Sequence, residues 1–514
     1  MRGGALTVLY ESVAAIFLRT EMSDKKLIGS LTALRFFAAL AIVVHHSRGV
    51  LLPESAFYGV PLASGVGFFF ALSGFILAYV YLDSIENNSL SRFYASRFAR
   101  IWPAHAASML VLMVLLPSSK WIWNGTSDAL VTLSNLSLIH SAIPIPAYYF
   151  SFNGPSWSLS TEAFFYVAFP FLIFSIWRTW HIKLVLVVFI GAAAVYPFDY
   201  FHVAYYSTER FTELSSHGMV YVNPLARIQE FYFGILTALV FLKIRGSRLF
   251  GFFSCTSLEV GAIAFAFCAI PYATTAPFAR LGQSHTYFAE FISHIAVGAV
   301  FAVVILVFAL NRGILSWLLS LRPFVILGQI SFSLYLLHHI FLRFYQEHTQ
   351  AFGFIPTSAR FSVLLGISCL AAYVMWRWVE IPAQRYLKKS FERSPSASHI
   401  AAGAVFAAVV LVVVLNRGIL SLQLRTPEPK QAVVESYASY IQVSDLVGEW
   451  KAGANVGKVE GSDGSNLIVT TETGLKGAGK VNGDRIEVAS WRVTGKLTAD
   501  KKKIRWSNTF VWTR

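Results

Sequence analysis

Leu31-Thr-Ala-Leu-Arg35-Phe-Phe-Ala-Ala-Leu-Ala-Ile-Val-Val-His45-His46 is an apolar run long enough to enter a bilayer, yet it carries a guanidinium near one end and an imidazole well inside. Charged or titratable side chains at membrane depth are costly, so each is a functional candidate. Eleven helical residues at ~100° each return to within ~20° of the starting direction, so Arg35 and His46 share a face. His45 points ~80° away on the same arithmetic. At ~1.5 Å per residue, Arg35 and His46 stand roughly 16 Å apart along the axis, about half the hydrocarbon thickness. The stretch therefore reads as a spanning helix with a cation near the membrane edge and an imidazole near mid-membrane.

The remaining residues support that reading. Of 514 residues, 55% are hydrophobic and 13% charged, which is far too little charge for a soluble chain. Apolar runs recur near 27–48, 64–83, 101–117, 157–177, 182–199, 225–243, 253–272, 290–310, 324–345, 360–379 and 399–416. The fold class is an all-α polytopic membrane protein, with about ten core helices, an eleventh, and a small C-terminal antiparallel β domain. The net charge of +15 would suggest nucleic acid in a soluble chain. Here the cations sit between the runs, so no nucleic-acid partner is expected. With Lys25 and Lys26 placed in the cytoplasm, sixteen Lys and Arg fall on that side and six opposite, an asymmetry that sets orientation.

The domains follow from these runs. Residues 1–24 form an N-terminal extension whose apolar part, Ala5–Phe17, is short, broken by Glu11 and without a clear cleavage site. Residues 25–395 hold the main transmembrane domain, 396–420 an additional helix and 421–440 a linker. Residues 441–514 are the β domain, which this orientation puts in the periplasm of an inner-membrane protein. Its alternating runs include Leu467–Thr471, Arg485–Val493 and Lys503–Trp506, with a hairpin signal at Asn482-Gly483 and Trp450, Trp491, Trp506 and Trp512 as core candidates. The stretch 128–150 is apolar but broken by Asn135, His140, Pro144 and Pro146, and reads as re-entrant or surface-lying, under a cover of protein. Cys255, Cys268 and Cys369 lie in apolar runs with no disulfide or metal spacing, so no metal is expected. Leu310–Ser316 recurs letter for letter as Leu415–Ser421.

Several further stretches carry chemistry. Gly65–Phe75 offers small residues for close helix packing. Arg92, Arg97 and Arg100, interleaved with aromatics at a helix entry before Pro103, suit either an anionic, adenine-bearing ligand or anchoring to anionic lipid. Trp157, Ser158 and Glu162 open a helix; an acid so close to Phe164-Phe165-Tyr166 exceeds the needs of a helix cap. Arg227 and Glu230 are spaced as a structural i,i+3 ion pair. His338 and His339 lie inside the ninth run, as packing or catalytic histidines, and Glu380 ends the tenth as a cap for Arg377 or Arg385.

In that order, Arg35 and His46, Phe-Phe-x-Leu-Ser-Gly-Phe, Arg-Ile-x-Pro, Trp-Ser-Leu-x-x-Glu-x-x-x-Tyr, Leu-Gly-x-x-Ser-Phe-x-Leu-Tyr-Leu-x-His and Glu-x-Pro occur between about residues 27 and 390. The ordered set resembles the membrane-bound acyltransferase 3 family. The resemblance implies transfer of an acyl group, usually acetyl, from cytoplasmic acyl-coenzyme A to an extracytoplasmic glycan such as lipopolysaccharide or exopolysaccharide. It carries the family's conserved arginine and histidine onto Arg35 and His46, and its arginine-rich loop onto Arg97 and Arg100. The tryptophan-serine-leucine-glutamate motif falls on Trp157, Ser158 and Glu162. The tail lacks the Ser-Gly-Asn-His blocks that some members append.

On this reading Arg35, Arg97 and Arg100 bind acetyl-coenzyme A, while His46 acts as general base or carries the acyl group. Glu162, taken as lying toward the outer side, is the second catalytic group and orients the acceptor or a histidine tautomer. Trp157, Ser158 and His338 contact substrate. The β domain could meet a partner or the glycan. The rival reading is a transporter or flippase for a lipid-linked sugar, with the same side chains lining a path.

Overall fold

The quoted run forms a helix because nothing in it interrupts one. In the computed structural model it is α1 (Gly29–Ser47). The structure describes residues 28–82, 90–123, 129–206, 211–247, 249–282 and 285–393. Beyond these it describes 445–513 apart from 453–454, 462–465, 471–475, 483–484, 489–492, 498–500 and 507–510. The N-terminal extension, the run 399–416 and the second copy of the repeat lie outside the described residues.

After α1 come α2 (Gly65–Tyr81), α3 (Leu90–Leu115), α4 (Ala129–Leu136), α5 (Pro146–Tyr149), α6 (Trp157–Ile173) and α7 (Ile176–Tyr200). Then follow α8 (Pro224–Ile244), α9 (Phe252–Leu281), α10 (Thr286–Leu310), α11 (Ile314–Leu319), α12 (Arg322–Glu347), α13 (Thr357–Met375) and α14 (Ile381–Arg393). Among the described residues, nine helices are long and apolar enough to cross a membrane. The expected span 157–177 is shorter. Its helix ends at Ile173 after 17 residues, because Ser175 takes a left-handed conformation (φ 51°) and turns the chain into α7. The stretch 128–150 is broken into short helical pieces, none of spanning length, as its prolines demand. Side chains cover its backbone: Asn135 Nδ2 donates to Tyr148 O at 3.1 Å and Asn223 Nδ2 to Ala142 O at 3.1 Å. Burial pushes the His140 imidazole in this stretch down to about 3, so it packs as a neutral ring.

Two close approaches set the bundle. A Cβ on Gly74 of α2 would stand 1.9 Å from Phe231 O of α8, and one on Gly234 of α8 would stand 1.8 Å from Ala71 O of α2. The packing glycine foreseen in 65–75 thus has a counterpart that the sequence reading missed. Likewise a Cβ on Gly328 of α12 would lie 1.9 Å from Thr32 O of α1. Only glycine lets backbones meet so closely. Since Thr32 meets Gly328 and His46 meets His338, α1 and α12 run parallel.

The first copy of the repeated heptad is a helix stop and restart. Asn311 closes α10 in the left-handed region (φ 52°), Arg312 donates to the carbonyls of Arg245, Ser247 and Phe250, and Glu259 accepts from the amides of Gly313, Leu315 and Ser316.

The chain divides into two compact units, Met1–Gly418 and Ile419–Arg514. In the second, β1 (Gly448–Ala452), β2 (Asn455–Gly461), β3 (Asn466–Thr470), β4 (Lys476–Asn482), β5 (Arg485–Val488), β6 (Val493–Leu497), β7 (Lys503–Trp506) and β8 (Val511–Thr513) form a closed antiparallel barrel. Pairing of Lys451 with Thr513 closes it and leaves no free edge. The run Arg485–Val493 is two strands rather than one, with Val488 paired to Val493. Asn482 pairs with Arg485, which puts a hairpin at the Asn-Gly signal. Trp450 is fully buried in the barrel core, with Val459, Val469, Ile486 and Ile504. Trp491 and the side chains of Trp506 and Trp512 lie outside the described set.

Candidate active site

The last turn of α1 brings His46 onto α12. Its Nδ1 lies 2.9 Å from His338 Nε2, and the two rings stack with centroids 5.2 Å apart and planes 13° apart. His338 Nδ1 in turn lies 3.1 Å from Leu334 O, the carbonyl one turn back on its own helix. A carbonyl only accepts, so His338 carries its proton on Nδ1. Its Nε2 is then a lone pair, and His46 must donate to it from Nδ1. That leaves His46 Nε2 without a proton and free to take one. The opposite tautomer would set two lone pairs against each other at Leu334 O. His339 stands edge-on to His46 at 5.2 Å, and its buried Nδ1 has no partner among the described residues. His45 is not part of the chain of bonds, as the helical arithmetic required.

Because α1 stops at Ser47, His46 sits in its final turn. Arg35 lies further inside, with Arg100, Glu380, Glu162 and Tyr166 as electrostatic neighbours. Arg35 makes no hydrogen bond or ion pair among the described residues.

Arg97 and Arg100 belong to α3, which begins at Leu90, so the expected arginine loop is helical. Buried Phe93, Ala95 and Ala99 give that segment its inward face. Arg97 Nη2 donates to Tyr81 Oη at 3.3 Å, and its guanidinium lies over the rings of Tyr81 (5.5 Å) and Tyr166 (5.8 Å). Arg100 Nη1 pairs with Glu380 Oε2 at 3.0 Å, and Ser333 also donates to that carboxylate. The expected partners of Glu380, Arg377 and Arg385, are corrected by this pair. A π-helical turn, Trp376–Glu380, shifts the register and rotates Glu380 inward.

Glu162 Oε1 accepts from Ser73 Oγ at 2.8 Å and Tyr166 Oη at 2.6 Å. It therefore belongs with Arg35 and the arginines. His338, not Glu162, fixes the tautomer of His46. Trp157 is buried against Phe70 and Tyr221, and Ser158 Oγ donates to Tyr335 Oη at 2.8 Å. Tyr335 donates onward to Pro155 O at 3.0 Å, and its ring adjoins His338 at 5.8 Å. Arg227 and Glu230 form the expected ion pair, bidentate (2.7 and 3.1 Å) and buried. Sequence reasoning missed Ser73, Tyr166, Ser333 and Tyr335 as partners, although each lies in or beside a quoted motif.

Residues 28–377 match the model of a family described as an acyltransferase domain. Acyltransferase MdmB of Streptomyces mycarofaciens is 35% identical over 156 residues, which is 27% of this chain and 38% of that protein. Peptidoglycan O-acetyltransferase OatA of Listeria monocytogenes is 26% identical over 232 residues, 41% of this chain and 36% of the relative. O-acetyltransferase OatA of Staphylococcus aureus is 23% identical over 411 residues, 78% of this chain and 63% of the relative. The chain thus spans from 36% to 63% of these curated relatives. No solved structure matches. With the family model covering α1 to the π-helical turn, and with the ordered motifs converging on one histidine pair and one arginine cluster, the chain belongs to the acyltransferase 3 family.

Proposed function

We propose that the protein is a membrane O-acyltransferase that moves an acyl group, acetyl in the simplest case, from cytoplasmic acyl-coenzyme A to a hydroxyl of a glycan at the outer face of the inner membrane. The observation that carries the reading is the relay from Leu334 O through His338 to His46, which leaves His46 Nε2 as a base. Roughly 16 Å along the same helix face stands Arg35, a cation with no hydrogen bond or ion pair among the described residues. Arg35, Arg97 and Arg100, with the Tyr81 and Tyr166 rings, make a donor set suited to phosphates and an adenine. The thin pantetheine arm bridges from there toward the imidazole.

His46 Nε2 takes the proton from the acceptor hydroxyl as its oxygen attacks the thioester carbonyl. The tetrahedral adduct collapses, the carbon–sulfur bond breaks, and the thiolate leaves with the proton returned by His46. During attack the imidazolium keeps its Nδ1–H on His338, so the relay strengthens as charge develops. Glu162, held by Ser73 and Tyr166, balances the arginines. Purified protein given radiolabelled acetyl-coenzyme A and glycan transfers label to sugar, and H46A does so at least ~100-fold more slowly. Transport of sugar without label on it would defeat the proposal and favour a flippase.

A further inference from the structure

Beside this site a second cluster takes no part in the chemistry above. Trp123 stacks on Phe211 with centroids 4.9 Å apart and planes 7° apart. Phe211 touches Tyr206 at 6.3 Å, Tyr206 stacks on Tyr205 at 5.4 Å, and both tyrosines meet the His217 ring at 5.0 Å. His217 stacks on Tyr221 at 5.1 Å, and Tyr221 leans on Trp157 at 5.2 Å. The rings form a continuous ladder. Its outer rungs, Trp123, Tyr205 and Tyr206, are exposed, whereas His217 and Trp157 are buried. The residue after Trp157 is Ser158, which bonds Tyr335, the neighbour of His338. The ladder therefore leads from the surface to the edge of the histidine pair.

Polar groups with unused capacity line it. The Tyr205 and Tyr206 hydroxyls make no hydrogen bond among the described residues. Neither does the mostly buried carboxylate of Glu290 on α10; His294 Nε2 is 3.8 Å from it, and Tyr205 and His217 are electrostatic neighbours. An interfacial aromatic belt needs no acid behind it. The Glu290 side chain is 15% exposed and, among the described residues, meets the His294 ring at 3.8 Å without a hydrogen bond, so its oxygens keep room for a donor from outside the protein. A pyranose answers both features. Its C–H face covers an aromatic ring, and its hydroxyls donate to a carboxylate and bond with phenols.

We propose that the ladder is the acceptor subsite: Trp123, Tyr205 and Tyr206 stack on successive sugar rings and Glu290 accepts from a sugar hydroxyl. The inference rests on the acyl-transfer reading for what the bound sugar is used for. The probe is the acyl-free surface polysaccharide extracted from a strain lacking the gene and cut to oligosaccharides. With reconstituted full-length protein, W123A, Y206A and E290Q each raise the KM for this oligosaccharide about tenfold, the worth of one stacked ring or one hydrogen bond. The KM for acetyl-coenzyme A and kcat stay put. Unchanged glycan KM overturns the inference, and so does a lowered melting temperature with both KM values intact, which marks the rings as packing alone. Equilibrium binding of the oligosaccharide to the H46A protein separates the two readings. If wild type transfers no label, acyl transfer fails, yet binding weakened tenfold by Y206A still supports the ladder. Binding indifferent to Y206A, or absent, removes it.

Discussion

Replacing His338 by phenylalanine tests the relay directly. The aromatic ring fills the space but accepts nothing, so the His46 Nδ1–H loses its partner at 2.9 Å. A hydrogen bond to a group that becomes charged is worth about 1.5–3 kcal/mol. His46 is an imidazolium as the hydroxyl attacks, so this energy comes off the transition state and kcat falls roughly 10- to 150-fold. H46A, which removes the base, loses about 10²- to 10⁴-fold. H338Q supplies an amide oxygen that accepts from Nδ1 and recovers most of the H338F loss. The assay is initial-rate label transfer in proteoliposomes, at saturating donor and acceptor, normalised to correctly inserted protein. Full kcat in H338F, or H338Q no better than H338F, refutes the tautomer argument.

Other consequences are as direct. G328A forces a Cβ into Thr32 O, where 1.9 Å is available, so α1 and α12 part and activity falls at least tenfold in protein that still inserts; activity and melting curves read this. R35Q raises the KM for acetyl-coenzyme A with little change in melting temperature, since Arg35 has no bonded partner among the described residues, and steady-state kinetics with a thermal melt check both halves. R100M strands the Glu380 carboxylate, which is 1% exposed, and destabilises the protein by about 3 kcal/mol, whereas R100M/E380Q recovers much of the melting temperature. Deleting residues 431–514 leaves label transfer unchanged, because every group in the relay and the arginine cluster belongs to the first compact unit.

The shared face of Arg35 and His46 was legible because helical phase depends on spacing alone. So was the end of that helix: the run reads as 27–48, and α1 stops at Ser47, where Arg48 turns extended (ψ 141°). The arginines read as the entry to a span starting near 101, whereas the helix starts at Leu90, because charge masks amphipathic helix at a membrane edge, where Phe93 and Ala99 turn inward. Glu380 was assigned to near neighbours in sequence, but a π-helical turn adds a residue and redirects it to Arg100, 280 positions away. No periodicity announces such a turn. Gly234 escaped notice because a glycine's purpose lies in the helix it faces. The β domain was recognisable from alternation, yet Arg485–Val493 alternates across a turn, so pattern alone joined two strands.

Gly328 has one more consequence. It pins α1 to α12 about ten residues below the histidines, so the two helices act as a pair of tongs hinged roughly 15 Å from their tips. Opening the crossing by about 5° shifts one imidazole from the other by about 1.3 Å over that arm. Misalignment of about that size costs an enzyme up to ~100-fold. Spanning helices meet a change of bilayer thickness partly by tilting, so turnover is expected to vary with it, and rates across lipids of graded chain length measure this.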